Sequence, residues 1–259
     1  AVILPGSIYD IPPSAYHDTT VDSHTQLAPP MDVRFQTELM MADYALHTRK
    51  IPMLGISGGM QLIVVKTGGK LVQHVESYDD FANQVLSEGK VAGISQNGAG
   101  ILLERISNKN KELLSKLSPN FKIVKPKSII GVMLNQEKFE SINSKRLELL
   151  HLHHQGVRPQ DVNSTELSVT ATTEDGKYVE AIEHKHHPFC FGTQFHPEYS
   201  DEIGLRMISE MVEYARELKA QSFDKKAEVP NYVDLHADEL PEAYQLSTQE
   251  WKAEEALLQ

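Results

Sequence analysis

IPMLGISGGMQLIVVKTGG (Ile51–Gly69) runs from a short apolar segment through a glycine-rich corner into an apolar segment of helical period, and stops at Gly68-Gly69. A strand, a tight turn bearing one nucleophile-type side chain, and a helix make the arrangement called a nucleophile elbow. Ser57 is that side chain. Glycines let the backbone turn sharply. The helix N-terminus offers unpaired N–H groups and a positive dipole end to a developing anion. An ordinary strand-to-helix connection of an α/β protein would read the same on this stretch alone.

Two further stretches add chemistry to the corner. FCFGTQFHPEY (Phe189–Tyr199) is an apolar strand ending in His196-Pro197-Glu198. In extended chain, residues i and i+2 face the same side, so His196 and Glu198 can stand together, and Pro197 stiffens the link. A nucleophile, a histidine to deprotonate it and a carboxylate to orient the ring are the parts of a triad. At the other end, Ala1-Val2-Ile3-Leu4-Pro5-Gly6-Ser7 is a buried-type strand running into a turn. Its N–H groups could supply the second half of an oxyanion hole.

IPMLGISGGMQLIVVKTGGKLVQHV, LPGSIYDIPPSAY, HLHHQGV and FGTQFHPEY together resemble the class I glutamine amidotransferase-like family, in its γ-glutamyl hydrolase branch. The four motifs stand in the family's order and cover most of residues 1–218. The resemblance implies an α/β, flavodoxin-like three-layer sandwich with a mostly parallel central sheet and an extra small β-hairpin region. It also implies hydrolysis of a γ-glutamyl amide through an acyl-enzyme. Ser57, His196 and Glu198 would be the catalytic residues, with Gly6, Ser7 and Gly58 forming the oxyanion hole. Gln61, His154 and Gln155 would line the substrate site. No cofactor and no metal are implied.

The sequence departs from the family at the nucleophile, which is Cys there and Ser57 here. Gly58 stands where the branch carries Arg, and Ser7 replaces the second glycine of its PGG turn. A thiol, with a pKa of roughly 8.5, is partly ionised near neutrality, and a hydroxyl is far harder to deprotonate. A site tuned for thiolate should therefore lose most of its rate. Ser57 is either an engineered replacement that keeps shape and removes reactivity, or natural divergence, and the changed neighbour Gly58 favours divergence. Two alternatives to an impaired hydrolase follow. One is a catalytically inactive binding or regulatory pseudoenzyme. The other is an ammonia-supplying glutaminase subunit acting with a synthetase in trans.

At 259 residues, 40% of them hydrophobic, the chain is long enough for one large domain with appendages. Lys plus Arg total 25 against 36 Asp plus Glu, a formal charge of −11, which argues against a nucleic-acid surface and against anionic membranes. With Cys190 as the only cysteine, no internal disulfide can form and a reducing compartment is permitted. No apolar run reaches bilayer length, and Ala1-Val2-Ile3-Leu4 reads as a strand rather than a signal peptide. A cytoplasmic protein acting on a small γ-glutamyl compound is the expectation. Family members carry a strand-helix-strand portion ahead of the equivalent of Ala1, so a first strand-helix unit is expected to be missing here. A homo-oligomer or a partner segment could complete the sheet.

Residues 1–218 are expected to form the amidotransferase-like domain, with an insertion at about 76–127, and 219–259 an acidic C-terminal extension. Asp32 to Lys50 reads as an amphipathic helix with Asp32 as N-cap and an inner stripe of Leu39, Ala42 and Leu46. Arg34 and Glu38 match part of the branch's R-D-x-x-E pattern, and as an i,i+4 pair they read first as a solvated helical ion pair. Leu71–Val75 and Ile129–Leu134 are strand-like. Glu166–Thr172 and Tyr178–Glu183, around Glu174-Asp175-Gly176-Lys177, form a β-hairpin. Tyr199–Lys219 is a helix with Ile203, Met207, Met211 and Tyr214 on one face. His151, His153 and His154 lie too close together on a strand to converge on one ion. His184, His186 and His187 read as a solvated turn, and Cys190 as a buried structural thiol.

Overall fold

A computed structural model describes residues 1–7, 9–25, 27, 33–49, 51–75, 94–97, 100–103, 121–134, 149–151, 153–221 and 232–235. Among these described residues the strands are β1 (Val2–Leu4), β2 (Met53–Ile56), β3 (Ile94–Asn97), β4 (Gly100–Leu103), β5 (Phe121–Ile123), β6 (Leu167–Thr173), β7 (Val179–His184) and β8 (Cys190–Thr193). Six of them form one mixed sheet in the order β1-β2-β8-β7-β6-β5, and β3 and β4 pair separately as a hairpin. The first three are parallel, with Leu4 opposite Gly55 and Ile56 opposite Thr193. The remaining pairings are antiparallel.

Alternation along the strands sorts side chains onto two faces. Met53, Ile182 and Cys190 pack with Ala42, Leu46 and Ile63. Their neighbours Leu54, Ala181 and Phe191 pack with Ile129, Met207 and Tyr214. The first face is covered by α1 (Arg34–Asp43) and α2 (Gly58–Lys66), the second by α3 (Ile129–Met133) and α4 (Asp201–Gln221). The result is the expected three-layer α/β sandwich, with a parallel core.

The helix α2 lies unusually close to the parallel strands because glycines face each other across the contact. A Cβ on Gly59 would stand 2.0 Å from the Leu4 carbonyl oxygen, and one on Gly55 2.7 Å from the Gly59 backbone. Seven of the nine α2 residues are buried, Met60 and Ile63 completely. That burial explains why its apolar pattern runs around the whole helix rather than along one stripe.

The hairpin β6–β7 forms as read, with Gly176 at φ 75 in its turn, and it belongs to the main sheet. The α4 stripe of Ile203, Met207, Met211 and Tyr214 is buried as read. Ala42 and Leu46 are likewise buried, although the helix changes from α to π winding over Tyr44–Arg49. Val33 precedes the first turn without a side-chain cap, and Asp32 lies outside the described residues.

Two strand readings are corrected. Ile129–Met133 is a helix, capped by the Ser128 hydroxyl accepting from Gly131 N–H (3.0 Å) and by the Glu183 carboxylate accepting from Ile129 N–H (2.8 Å). All five of its residues are buried, and a short run that is apolar on every side carries no period to tell helix from strand. Leu71–Val75 is not a strand: Val72 forms an isolated bridge with Gly156, and Val75 N–H donates to the His154 carbonyl at 2.7 Å.

Within the expected insertion, β5 supplies an edge of the main sheet, while 76–93 and 104–120 lie outside the described residues. Of the C-terminal extension, the short helix α5 (Tyr232–Leu235) is described. Its Tyr232 packs edge-on against Phe189, ring centroids 4.8 Å apart, so this part of the tail joins the core. Among the described residues no helix is long and apolar enough to cross a membrane.

Candidate active site

Because β1, β2 and β8 are parallel and in register, the segments that leave their C-terminal ends emerge along one rim of the sheet. Such a rim is where open α/β sheets place their ligands. Pro5-Gly6-Ser7 follows β1, Ser57 follows β2, and His196 follows β8. Three stretches far apart in sequence are thus brought together by the register alone.

Ser57 holds φ 51 and ψ −109, a backbone region that a residue with a Cβ occupies only under constraint. The constraint comes from both sides. Its N–H donates to the Thr193 carbonyl at 2.7 Å, and its carbonyl accepts from Gln61 N–H at 3.1 Å, starting α2. The residue is only 4% exposed. His196 is fixed by its own N–H, which donates to the Leu150 carbonyl at 2.8 Å. Its Nδ1 lies 2.7 Å from Glu198 Oε1, so the ring is oriented by the carboxylate two residues on.

Gly6 sits between the two. A Cβ there would stand 2.9 Å from His196 Cε1, 3.7 Å from His196 Nε2 and 3.6 Å from Ser57 Cβ. Ser57 Cβ and the His196 imidazole therefore flank a common point. Among the described residues no hydrogen bond joins the Ser57 hydroxyl to the ring, so direct contact requires a side-chain rotation. A Cβ on Gly58 would lie 3.2 Å from Ser7 N, which puts the first backbone of α2 beside the Gly6-Ser7 peptide. Among the described residues neither the Ser7 nor the Gly58 amide donates to a protein acceptor.

Gln61, His154 and Gln155 are close to this rim and engaged within the protein. Gln61 Nε2 donates to the Gln155 carbonyl (2.9 Å) and to Gln194 Oε1 (3.1 Å). Gln155 Oε1 accepts from Ile11 N–H at 3.1 Å, and His154 Nε2 lies 3.0 Å from Asp10, so both staple the loop after β1. The neighbouring imidazoles diverge. His151 faces Glu180 (2.7 Å) and the Leu149 carbonyl, whereas His153 Nδ1 donates to the Gln155 carbonyl (2.7 Å). Burial, then the adjacent His151, pull the His153 imidazole down to about 3, and it stays neutral.

His184 and His187 are buried, not a solvated turn: His187 Nδ1 accepts from Phe189 N–H at 3.1 Å. Burial raises the Cys190 thiol far above its ordinary range, in keeping with a structural role.

The largest addition to the sequence reading is Arg34. Besides its ion pair with Glu38 (2.6 Å), it donates from Nη2 to the Gly6 carbonyl at 2.6 Å and to the Pro5 carbonyl at 3.3 Å. The i,i+4 spacing gave the pair, but nothing local gave its carbonyl partners.

The family model described as Peptidase C26 matches residues 1–198. A protein of Rickettsia prowazekii described as glutamine amidotransferase-like is 30% identical over 215 residues, 79% of this chain and 72% of its own length. The γ-glutamyl-γ-aminobutyrate hydrolase of Escherichia coli O157:H7 is 27% identical over 209 residues, 80% of this chain and 67% of its own length. The glutaminase domain of Trypanosoma brucei CTPS, solved with bound acivicin, superposes with a TM-score of 0.43 at 17% identity, covering 73% of this chain and 69% of that one.

Proposed function

This chain belongs to the peptidase C26 family, and from that premise we propose that it is a γ-glutamyl amide hydrolase slowed by serine at the nucleophile position. The observation that carries the reading is the convergence of Ser57, on its strained turn, and the Glu198-held ring of His196 at Gly6. Ser57 Oγ attacks the γ-carbonyl carbon, and its proton passes to His196 Nε2. The carbonyl oxygen, now negative, is received by the Ser7 and Gly58 N–H groups at the Gly6 turn. His196 gives the proton to the departing amine nitrogen as the C–N bond breaks, which leaves an ester on Ser57. Water, deprotonated by the same ring, bonds to the ester carbon; the bond to Ser57 Oγ breaks, His196 returns the proton to that oxygen, and glutamate leaves. Gln61, His154 and Gln155 shape the floor on which the glutamate portion rests.

Serine is the specific feature favouring a second reading, a pseudoenzyme that binds a γ-glutamyl compound without turning it over. Hydrolysis of glutamine and of γ-glutamyl amines, measured for the protein and for Ser57→Cys, separates the two. The hydrolase reading expects at least about 100-fold faster release of amine from the cysteine variant. Silence from both, with γ-glutamyl compounds still bound, would leave the binding protein.

A further inference from the structure

We infer that Arg34 is a positioning residue, whose guanidinium sets the orientation of the Gly6–Ser7 peptide so that the Ser7 N–H faces Gly58 and Ser57. Among the described residues no peptide is cis, so the Gly6 carbonyl and the Ser7 N–H point in opposite directions within one rigid plane. Arg34 Nη2 holds that carbonyl at 2.6 Å from the α1 side. The N–H must then point the other way, and Ser7 N does lie 3.2 Å from where a Cβ on Gly58 would be. Without the guanidinium, a glycine on one side of this peptide leaves it free to turn over.

The location of the arginine excludes the simpler account. Arg34 is the first residue of α1, where a cation opposes the helix dipole. An i,i+4 ion pair along one helix adds little to offset that. What the position does provide is reach: one planar fork spans Glu38 on its own helix and two successive carbonyls of the turn. Glu38, with its side chain 15% exposed, keeps the fork aimed. The positive charge on the carbonyl also polarises the peptide, making its N–H a stronger donor.

The assignment of the Ser7 N–H as an oxyanion donor rests on the proposed hydrolase reading; the peptide orientation does not. The test therefore has two arms. Crystal structures of Arg34→Ala and Arg34→Lys are expected to show the Gly6–Ser7 peptide turned in the first and mostly retained in the second. In the Ser57→Cys background, single-turnover acylation by a γ-glutamyl amide is expected to fall about 100-fold with Arg34→Ala, with KM within about threefold and partial rescue by lysine. An unturned peptide in Arg34→Ala overturns the inference, as does a turned peptide with acylation unchanged. If Ser57→Cys proves inert on every γ-glutamyl amide, the hydrolase reading fails, and the peptide orientation alone decides for or against Arg34.

Discussion

The two halves of the main sheet are built for different tasks. In the parallel half, β1, β2 and β8 release their chains along one rim, and glycines draw α2 down onto the strands. Backbone strain at Ser57 sits there too. In the antiparallel half, β6 and β7 are joined by a short turn and line a buried wall. There Glu183 caps α3 and Glu180 meets His151. One half brings distant residues together under constraint, and the other holds the first in place. Proximity without covalent linkage needs tight backbone packing, so substitutions of the same kind should cost unequal amounts in the two halves.

Glycine replacement is the sharpest way to break that comparison. Gly59→Ala drives a methyl to 2.0 Å from the Leu4 carbonyl oxygen, a backbone atom that cannot swing aside as the end of a side chain could. It should lose about 3 kcal/mol or more, measured by urea unfolding. Gly176→Ala, in the turn of the antiparallel half, meets nothing within 4 Å and is strained only by its φ of 75. It should lose about 1 kcal/mol. Equal losses would abolish the distinction between the halves.

The features that sequence carries are those written in neighbouring letters. The elbow is legible because Gly55, Ser57, Gly58 and Gly59 flank one turn, and His196-Pro197-Glu198 because its two working residues are two apart. The hairpin is legible from Asp175-Gly176. What escapes is set by partners far along the chain. Gln155 meets Ile11 across 144 positions, and Arg34 meets Gly6 across 28, so neither contact leaves a local pattern. The helix α3 escapes for another reason. Complete burial erases the polar face on which a period is read.

Acidification should act on two buried groups, His153 beside the site and Glu183 in the wall behind it, with opposite sign, and His153 gives the larger effect. Its ring is held at about 3 in the folded protein against 6.5 for a free imidazole. A depressed base contributes stability that is complete above the unfolded value and is lost as pH falls below it. Between pH 7 and 5 the protein should lose up to about 2 kcal/mol relative to His153→Gln, whose amide can still donate to the Gln155 carbonyl. Parallel pH profiles for the two proteins would show that this ring is not what binds the site to its support.

Relief of strain should be smaller. Ser57→Gly removes the Cβ that makes φ 51 unfavourable. It should raise stability by about 1 kcal/mol, seen as a few degrees in Tm, while removing the nucleophile. A lowered Tm would mean that the buried hydroxyl contributes more than the turn costs.

Glu183 tests the supporting half with the smallest effect. Burial raises its carboxyl above the ordinary range, and the hydrogen bond from Ile129 N–H offsets that only in part. An acid with a raised folded pKa favours the protonated form. Its contribution is therefore complete below the unfolded value and is lost as pH rises through the folded one. Glu183→Gln keeps an oxygen for Ile129 N–H and cannot ionise, so it should gain on the parent protein as pH is raised from 5 to 8. That trend is opposite to the one expected for His153. If the parent instead gains on the variant as pH rises, the ionised carboxylate is the favoured form in the fold. The wall behind the site would then owe its firmness to a charge at the start of α3, not to exclusion of water.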